Sequence, residues 1–464
     1  MSMHELLPLL PFITVSTFVI FDLLAIAIYR NHRTTALLTG IGLVLAIIAT
    51  LLADVSTPIR ITPLIILDRY SMFFVALFLS TAFMVTLLSY RYMELLKESR
   101  KEEYYLLLLL ASLGVCVVVS SNHFVSFFLG LEILSVSLYA LIGYKVEDPL
   151  GQEASIKYLI LTATSDSFLL FGIALIYADT GQLEFTKIAT ALTSGHIGFL
   201  LPGLGLLIAG LGFKLSLVPF HMWTPDVYQG APAPITGFLA SASKGAVFAL
   251  MLRYFTKAGL HTNNGVLTVF AIIAVASMFG GNLLALLQNR VKRILAYSSI
   301  AHFGYLVTAF LASGAFALTA VTYYLAAYFV TILGAFGVMS VMSGTKAEPD
   351  LIDSYRGMFW KKPFLGSVFS ATLLSLAGIP LTAGFVGKFY VMAAGVNSHL
   401  WLLVVSLVAS SIIGLFYYLR IISVMFSKDL ANLDSSGFDG TGMAAAALAL
   451  AVLAIALLWL GIWP

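Results

Sequence analysis

Five ionisable residues, Glu132, Lys157, Lys214, Lys244 and Lys388, fall inside long apolar runs of this 464-residue chain. Glu132 sits in FFLGLEILSVSLYAL, about ten residues into its run, and Lys244 follows Pro232 by twelve residues. At about 1.5 Å per helical residue, both positions are roughly central in a membrane crossing. A lone charge at that depth costs at least about 2.5–3.5 kcal/mol on insertion scales, so these groups need partners or water. Lysine suits proton chemistry in such a place. Burial lowers the proton affinity of an amine and a nearby carboxylate raises it, so a neighbouring change of charge can switch it. A row of such lysines, with a glutamate controlling the first, can pass on a proton or a change of charge.

Each of these residues also has a blander reading. Lys157 lies some five residues inside the end of its run and can be an interfacial anchor, whereas Lys214 and Lys244 are too central to snorkel. The interrupted run around Lys388 leaves its depth open. His302, in AYSSIAHFGYL, fits a proton relay or a packed, hydrogen-bonded histidine equally well. Lys292, beside Arg290 and Arg293, reads as a charge anchor at a run's end. Asp22 and Asp166 lie in apolar runs with no evident partner, and His221 and Asp226 read as structural.

The elements that must position these groups are membrane helices. Hydrophobic residues make up 60% of the chain, charged residues only 10%, and the mean hydropathy is +0.99. A soluble protein carries roughly 25% charged residues, so the composition is that of an integral membrane protein in a lipid bilayer. The net charge of +3 is spread over loops, with no basic block for nucleic acid. Cys116 is the sole cysteine, so no intrachain disulfide forms, and no Cys/His cluster suits zinc, haem or an iron–sulfur centre. No cofactor is expected on this chain. The first apolar run, Leu6 to Tyr29, is long enough to span and has no cleavage site for a signal peptide.

Fourteen runs of about 20 residues can be counted, which predicts an all-α polytopic fold. Runs 104–120 and 124–144 are separated only by a tight SSNH turn. Run 197–219 contains Pro219, whose ring conflicts with the carbonyl four residues back and frees backbone groups near Leu215. Run 363–395 is longer than a bilayer needs and contains Gly378-Ile379-Pro380 and Gly384, which predicts a second interrupted helix. Irregular backbone at membrane depth survives only where it is buried in protein or lines a wet cavity. The two breaks occupy corresponding fourth places in successive sets of five runs, so the second set is expected to be inverted. The predicted organisation is 1–103, a first repeat 104–258, a second repeat 259–428 and a last helix in 429–464. Broken helices at matching places in inverted repeats point to a transport site.

Loop cations predict the orientation. Sixteen, Lys97 and Lys346 among them, follow odd-numbered runs and five follow even-numbered runs. Odd loops are thus expected in the cytoplasm, and both termini outside.

GFKLSLVPFHMWTPDVYQGAPAP followed by SK resembles the signature of the antiporter-like membrane subunits of respiratory complex I. FFLGLEILSVSLYALIGY, EASIKYLIL, NRVKRILAYSSIAHFGYL and SLAGIPLTAGFVGKFY support it, so the resemblance covers nearly the whole chain. Subunits L and M, like the multisubunit sodium/proton antiporters, carry a histidine- and glutamate-bearing connector in place of DVYQGAPAP. The chain also stops at Pro464, without the lateral helix that subunit L appends. The resemblance implies proton translocation in which Glu132 pairs with Lys214 of the broken seventh helix. Lys244 is then the central lysine, Lys388 the terminal donor or acceptor, and Lys157 and His302 secondary sites. Asp22 and Asp166 match no member of the family's usual ionisable set. NADH, FMN, iron–sulfur clusters and quinone would belong to partner subunits, and the expected neighbours are subunits K and M and the lateral helix of subunit L, in a bacterial inner membrane. A sodium/proton antiporter subunit, a relative using another electron donor, and a non-conducting spacer remain as alternatives.

Overall fold

The computed structural model describes residues 7–53, 55, 57–96, 100–192, 198–260, 263–312, 314–343, 348–428 and 441–464. Lys97, Lys346 and the stretch 429–440 of the expected C-terminal segment lie outside the described residues. Among those described, twelve helices are long and apolar enough to cross a membrane, and Leu200–Leu215 and Pro363–Ala377 are shorter apolar helices. The shorter two are the first halves of the two runs in which a break is predicted.

The helices end where backbone chemistry requires. Leu200–Leu215 stops four residues before Pro219, and the next residue, Ser216, takes a left-handed φ of 60°. Pro363–Ala377 stops at Gly378, with φ 85°, and the chain passes Leu381, with φ 72°, before Ala383–Asn397 begins. A left-handed conformation costs a non-glycine residue roughly 1–2 kcal/mol, so Ser216 and Leu381 mark places where the fold imposes the break.

The chain divides into two compact units. The first contains residues 1–86, 98–215 and 242–266, and the second 87–97, 216–241 and 267–464. The chain therefore leaves the first unit just after Lys214 and re-enters it just before Lys244.

In the first unit, Pro149–Thr180 packs against Leu200–Leu215 and Phe124–Ile142. The approach to Leu200–Leu215 is close: a Cβ on Gly172 would lie 2.7 Å from the Gly203 carbonyl oxygen. In lipid no hydrophobic force joins two helices, so small residues that let backbones touch do this work. Gly203 and Gly210 of GLGLLIAGLG serve that packing, whereas Gly205 faces open space. One element escaped the all-helical expectation, a short antiparallel hairpin of Ile59–Thr62 and Ile65–Leu67. It organises the SSNH turn, since Leu64 accepts from Asn122 N at 2.9 Å and from Ser126 Oγ at 2.6 Å.

In the second unit, Val291–Leu311 is the innermost helix, with its whole apolar window buried. Around it pack Trp223–Gly230, Ala315–Met342, Ala383–Asn397 and Trp401–Met425. A helix surrounded by protein rather than lipid can carry polar side chains, and this one carries Ser298, Ser299 and His302 in full burial.

Candidate proton-transfer sites

Lys214 occupies the last turn of Leu200–Leu215, where an ammonium also complements the helix dipole. Its Nζ lies 2.8 Å from Asp166 Oδ1 and 3.1 Å from Oδ2, and donates to Ser135 Oγ at 3.2 Å. Side-chain exposure is 4% for Lys214 and 8% for Asp166, so the pair is shielded from solvent. Ser135 stands one turn beyond Glu132 on Phe124–Ile142. Glu132 lies in the electrostatic field of both Asp166 and Lys214. Three helices thus bring two carboxyl groups and one amine together. The direct ion pair of Lys214 is with Asp166, whereas Glu132, the expected partner, acts on it through its field.

Lys244 is fully buried. It opens Lys244–Lys257 immediately after a π-helical turn, Leu239–Ser243. A π turn widens the helix and leaves its backbone less regularly bonded, and such turns recur at functional positions. The run LASAS supplies small and hydroxyl side chains there, and Ser241 Oγ returns a bond to the Gly237 carbonyl at 2.5 Å. Nothing in the sequence analysis identified this turn, because no proline marks it.

Lys388 lies on Ala383–Asn397 and is 5% exposed. Its Nζ donates to the carbonyl oxygens of Leu376 and Ala377, both at 2.9 Å, and to Ser411 Oγ at 2.8 Å. The interrupted helix has freed those carbonyls, and the lysine of its second half satisfies them. The Tyr305 ring lies 5.4 Å away. His302 is also buried; Nδ1 is 2.6 Å from Tyr324 Oη and Nε2 3.4 Å from Tyr418 Oη. A small cavity bordered by His302, Tyr328, Thr331, Ser375 and Leu376 has a water-accessible volume of about 10 Å³. That is room for about one water molecule. The cavity borders both the histidine and a residue whose carbonyl holds Lys388.

Lys157 is not brought to the Lys214 group: its side chain is 42% exposed and its ammonium pairs with Glu153 one turn away, at 2.6 Å. Lys292, expected as a charge anchor at a run's end, is buried, 3% exposed, and ion-paired with Glu348. Its Nζ donates to the Ala231 carbonyl at 2.8 Å, and Glu348 accepts from Ala233 N at 3.3 Å. This pair therefore clamps the connector between the two lysine-bearing runs. Asp226, on the same connector, pairs with Arg293 at 2.7 Å, in keeping with a structural role. Asp22 is buried and accepts from Thr39 Oγ1 at 2.6 Å, a bond between the first two long helices.

Sequence and fold comparisons show which proteins the chain is similar to. The family described as NADH:quinone oxidoreductase/Mrp antiporter, TM, matches residues 121–414. The chain is 46% identical over 432 residues to a protein named NADH-quinone oxidoreductase subunit N from Ectopseudomonas mendocina (strain ymp), across 92% of this chain and 87% of that one. A chain of respiratory complex I from Thermus thermophilus, solved with bound aureothin, is 33% identical with TM-score 0.82, and 97% of each chain is covered. The Mrp complex from a Dietzia species holds a chain 20% identical with TM-score 0.86, covering 100% of this chain and 95% of that one. The membrane-bound sulfane sulfur reductase, an archaeal respiratory membrane complex, holds one 22% identical with TM-score 0.86, covering 99% and 95%. The last two share the fold alone. Their TM-scores are no lower than that of the complex I chain, so identity, not shape, separates the branches.

Proposed function

Since this chain belongs to the NADH:quinone oxidoreductase/Mrp antiporter membrane family and is a proton-translocating subunit of the complex I type, we propose that its protons move through Glu132, Lys214, Lys244 and Lys388, with Lys157 and His302 in secondary roles. The observation that carries this reading is the shielded ion pair of Lys214 and Asp166, with Glu132 in its field, at the end of an interrupted helix. Such a group is unstable as a passive anchor and useful as a switch, because its charge balance depends on one proton.

In this mechanism, electron transfer in partner subunits alters the charge state at Glu132 and Lys214. The change shifts the proton affinity of Lys244 and then of Lys388, so that protons are taken up from the cytoplasm and released outside. The chain itself performs no redox step; NADH, FMN, iron–sulfur clusters and quinone are assigned to the partners. Its neighbours are assigned as subunits K and M, with the lateral helix of subunit L along its flank. The setting is a bacterial inner membrane with both termini on the outer side. Both interrupted helices count as crossings, giving fourteen, with inverted repeats at 104–258 and 259–428. Support comes from the matching features of the two breaks, each with a left-handed non-glycine residue and a buried lysine beside it.

The test is isolation of the tagged chain with its native partners, followed by reconstitution into vesicles. Flavin and iron–sulfur centres should accompany it, and NADH should drive quinone-dependent proton uptake without sodium. Transport that requires sodium, in an assembly lacking flavin, would instead establish the antiporter reading.

A further inference from the structure

Asp166 has no role in the mechanism so far, yet it makes the closest charged contact of Lys214, at 2.8 Å. It lies near the middle of the 32-residue helix Pro149–Thr180, as deep as Glu132 in its own helix. We propose that Asp166 is the resident counter-carboxylate of the Lys214 switch, holding the Lys214 ammonium in place with Ser135 while Glu132 gains and loses the transported proton.

The charge balance is simple. With the proton on Glu132, the Asp166 carboxylate holds the Lys214 ammonium, and the group is neutral. When the O–H bond of Glu132 breaks and the proton leaves along the path, two carboxylates face one ammonium and the group carries one negative charge. Uptake of one proton restores neutrality. Lys214 stays fixed throughout by Asp166 and Ser135, so the switch needs no large movement. The titratable groups facing Asp166 are Glu132 and Tyr139 from Phe124–Ile142, Lys214 from Leu200–Leu215, and Tyr158 on its own helix. Asp166 acts through Lys214 and is in that sense a positioning residue.

This inference rests on the reading that Lys214 works in translocation. It is tested in the reconstituted complex with Asp166→Asn, Asp166→Glu, Lys214→Gln and the double change Asp166→Asn/Lys214→Gln. Quinone-linked NADH oxidation and proton uptake are followed across pH, and NADH oxidation by an artificial acceptor reports assembly. Asp166→Asn should lower proton uptake about fivefold or more and displace its pH profile, and Asp166→Glu should restore most of it. The double change should be no worse than Lys214→Gln alone. Wild-type rate and profile in Asp166→Asn, with Lys214→Gln inactive, overturns the role of Asp166 and leaves that of Lys214. Full activity in both removes the underlying reading as well. Should Asp166→Asn fail to assemble, recovery of assembly in the double change supports the pairing, and no recovery overturns it.

Discussion

Lys388 Nζ donates to the carbonyl oxygens of Leu376 and Ala377, both at 2.9 Å, so the lysine of one half-helix caps the other half. The Lys388 amine and the break in the helix are therefore one structure. Moving the break moves the site.

Gly378 is the residue that allows this cap. A Cβ there would lie 2.9 Å from Lys388 Cδ and 3.1 Å from Nζ, and the backbone holds φ 85°. Gly378→Ala is expected to cost about 1–2 kcal/mol from the left-handed backbone alone. It should also displace the ammonium. Proton uptake by the reconstituted complex should fall severalfold with little change in assembly; uptake at the wild-type rate would show that the cap does not position the working state.

The connector clamp makes a separate forecast about stability. Removing one partner of a buried ion pair costs about 3–5 kcal/mol, whereas replacing both with apolar residues is often neutral. Lys292→Met should therefore reduce the thermal midpoint and yield of the purified protein sharply, and Lys292→Met/Glu348→Met should recover much of the loss. Equal damage from the single and double changes would mean that the bonds to Ala231 and Ala233, rather than the ion pair, hold the connector.

Asp68 precedes the helix Arg69–Leu95 and accepts from Ser71 N at 2.8 Å, as an N-cap does, while Arg253 lies at 2.8 Å. Burial raises the pKa of its carboxyl, but the Arg253 charge and the Ser71 amide outweigh burial and hold it below the ordinary 3.8. A depressed folded value means that its stabilisation is fully present above the unfolded value and is lost as pH falls through the folded one. Asp68→Asn should cost about 0.5–2 kcal/mol at neutral pH. In thermal unfolding, its difference from wild type should shrink as pH falls from the unfolded value through the lowered folded one. A difference that stays constant with pH would assign Asp68 to neutral hydrogen bonding only.

His302 bonds two tyrosine hydroxyls, Tyr324 at 2.6 Å and Tyr418 at 3.4 Å, beside a cavity of one-water size. If it relays protons, His302→Gln and Tyr324→Phe should each slow proton uptake by about threefold to tenfold without loss of assembly. Normal uptake in both variants would make it a packed histidine.

Much of the candidate site was legible because its signals are local. A charged residue in an apolar run, or a proline or glycine inside a helix-length segment, is visible at its own position. Both breaks were found in this way, and Leu200–Leu215 ends where the Pro219 argument places the conflict. The Lys214–Asp166 contact was not legible, since it depends on the register of two helices whose residues lie 48 apart in sequence. The available clue was depth: Asp166 is as central in its run as Glu132. The burial of Lys292 was missed because a cation beside two arginines looks like a loop anchor until its partner, 56 residues on, is brought to it. The π turn before Lys244 and the hairpin at 59–67 leave too little pattern in five or fewer residues per element.

The central claim is that the buried lysines carry the transported charge, and proton uptake per NADH oxidised by the complex with Lys244→Ala tests it most directly. Lys244 is fully buried and opens its helix after the π turn. The expected result is an assembled complex that still passes electrons to an artificial acceptor but loses about tenfold or more of its quinone-linked proton uptake. Near-normal uptake in an assembled complex with that change would contradict the account.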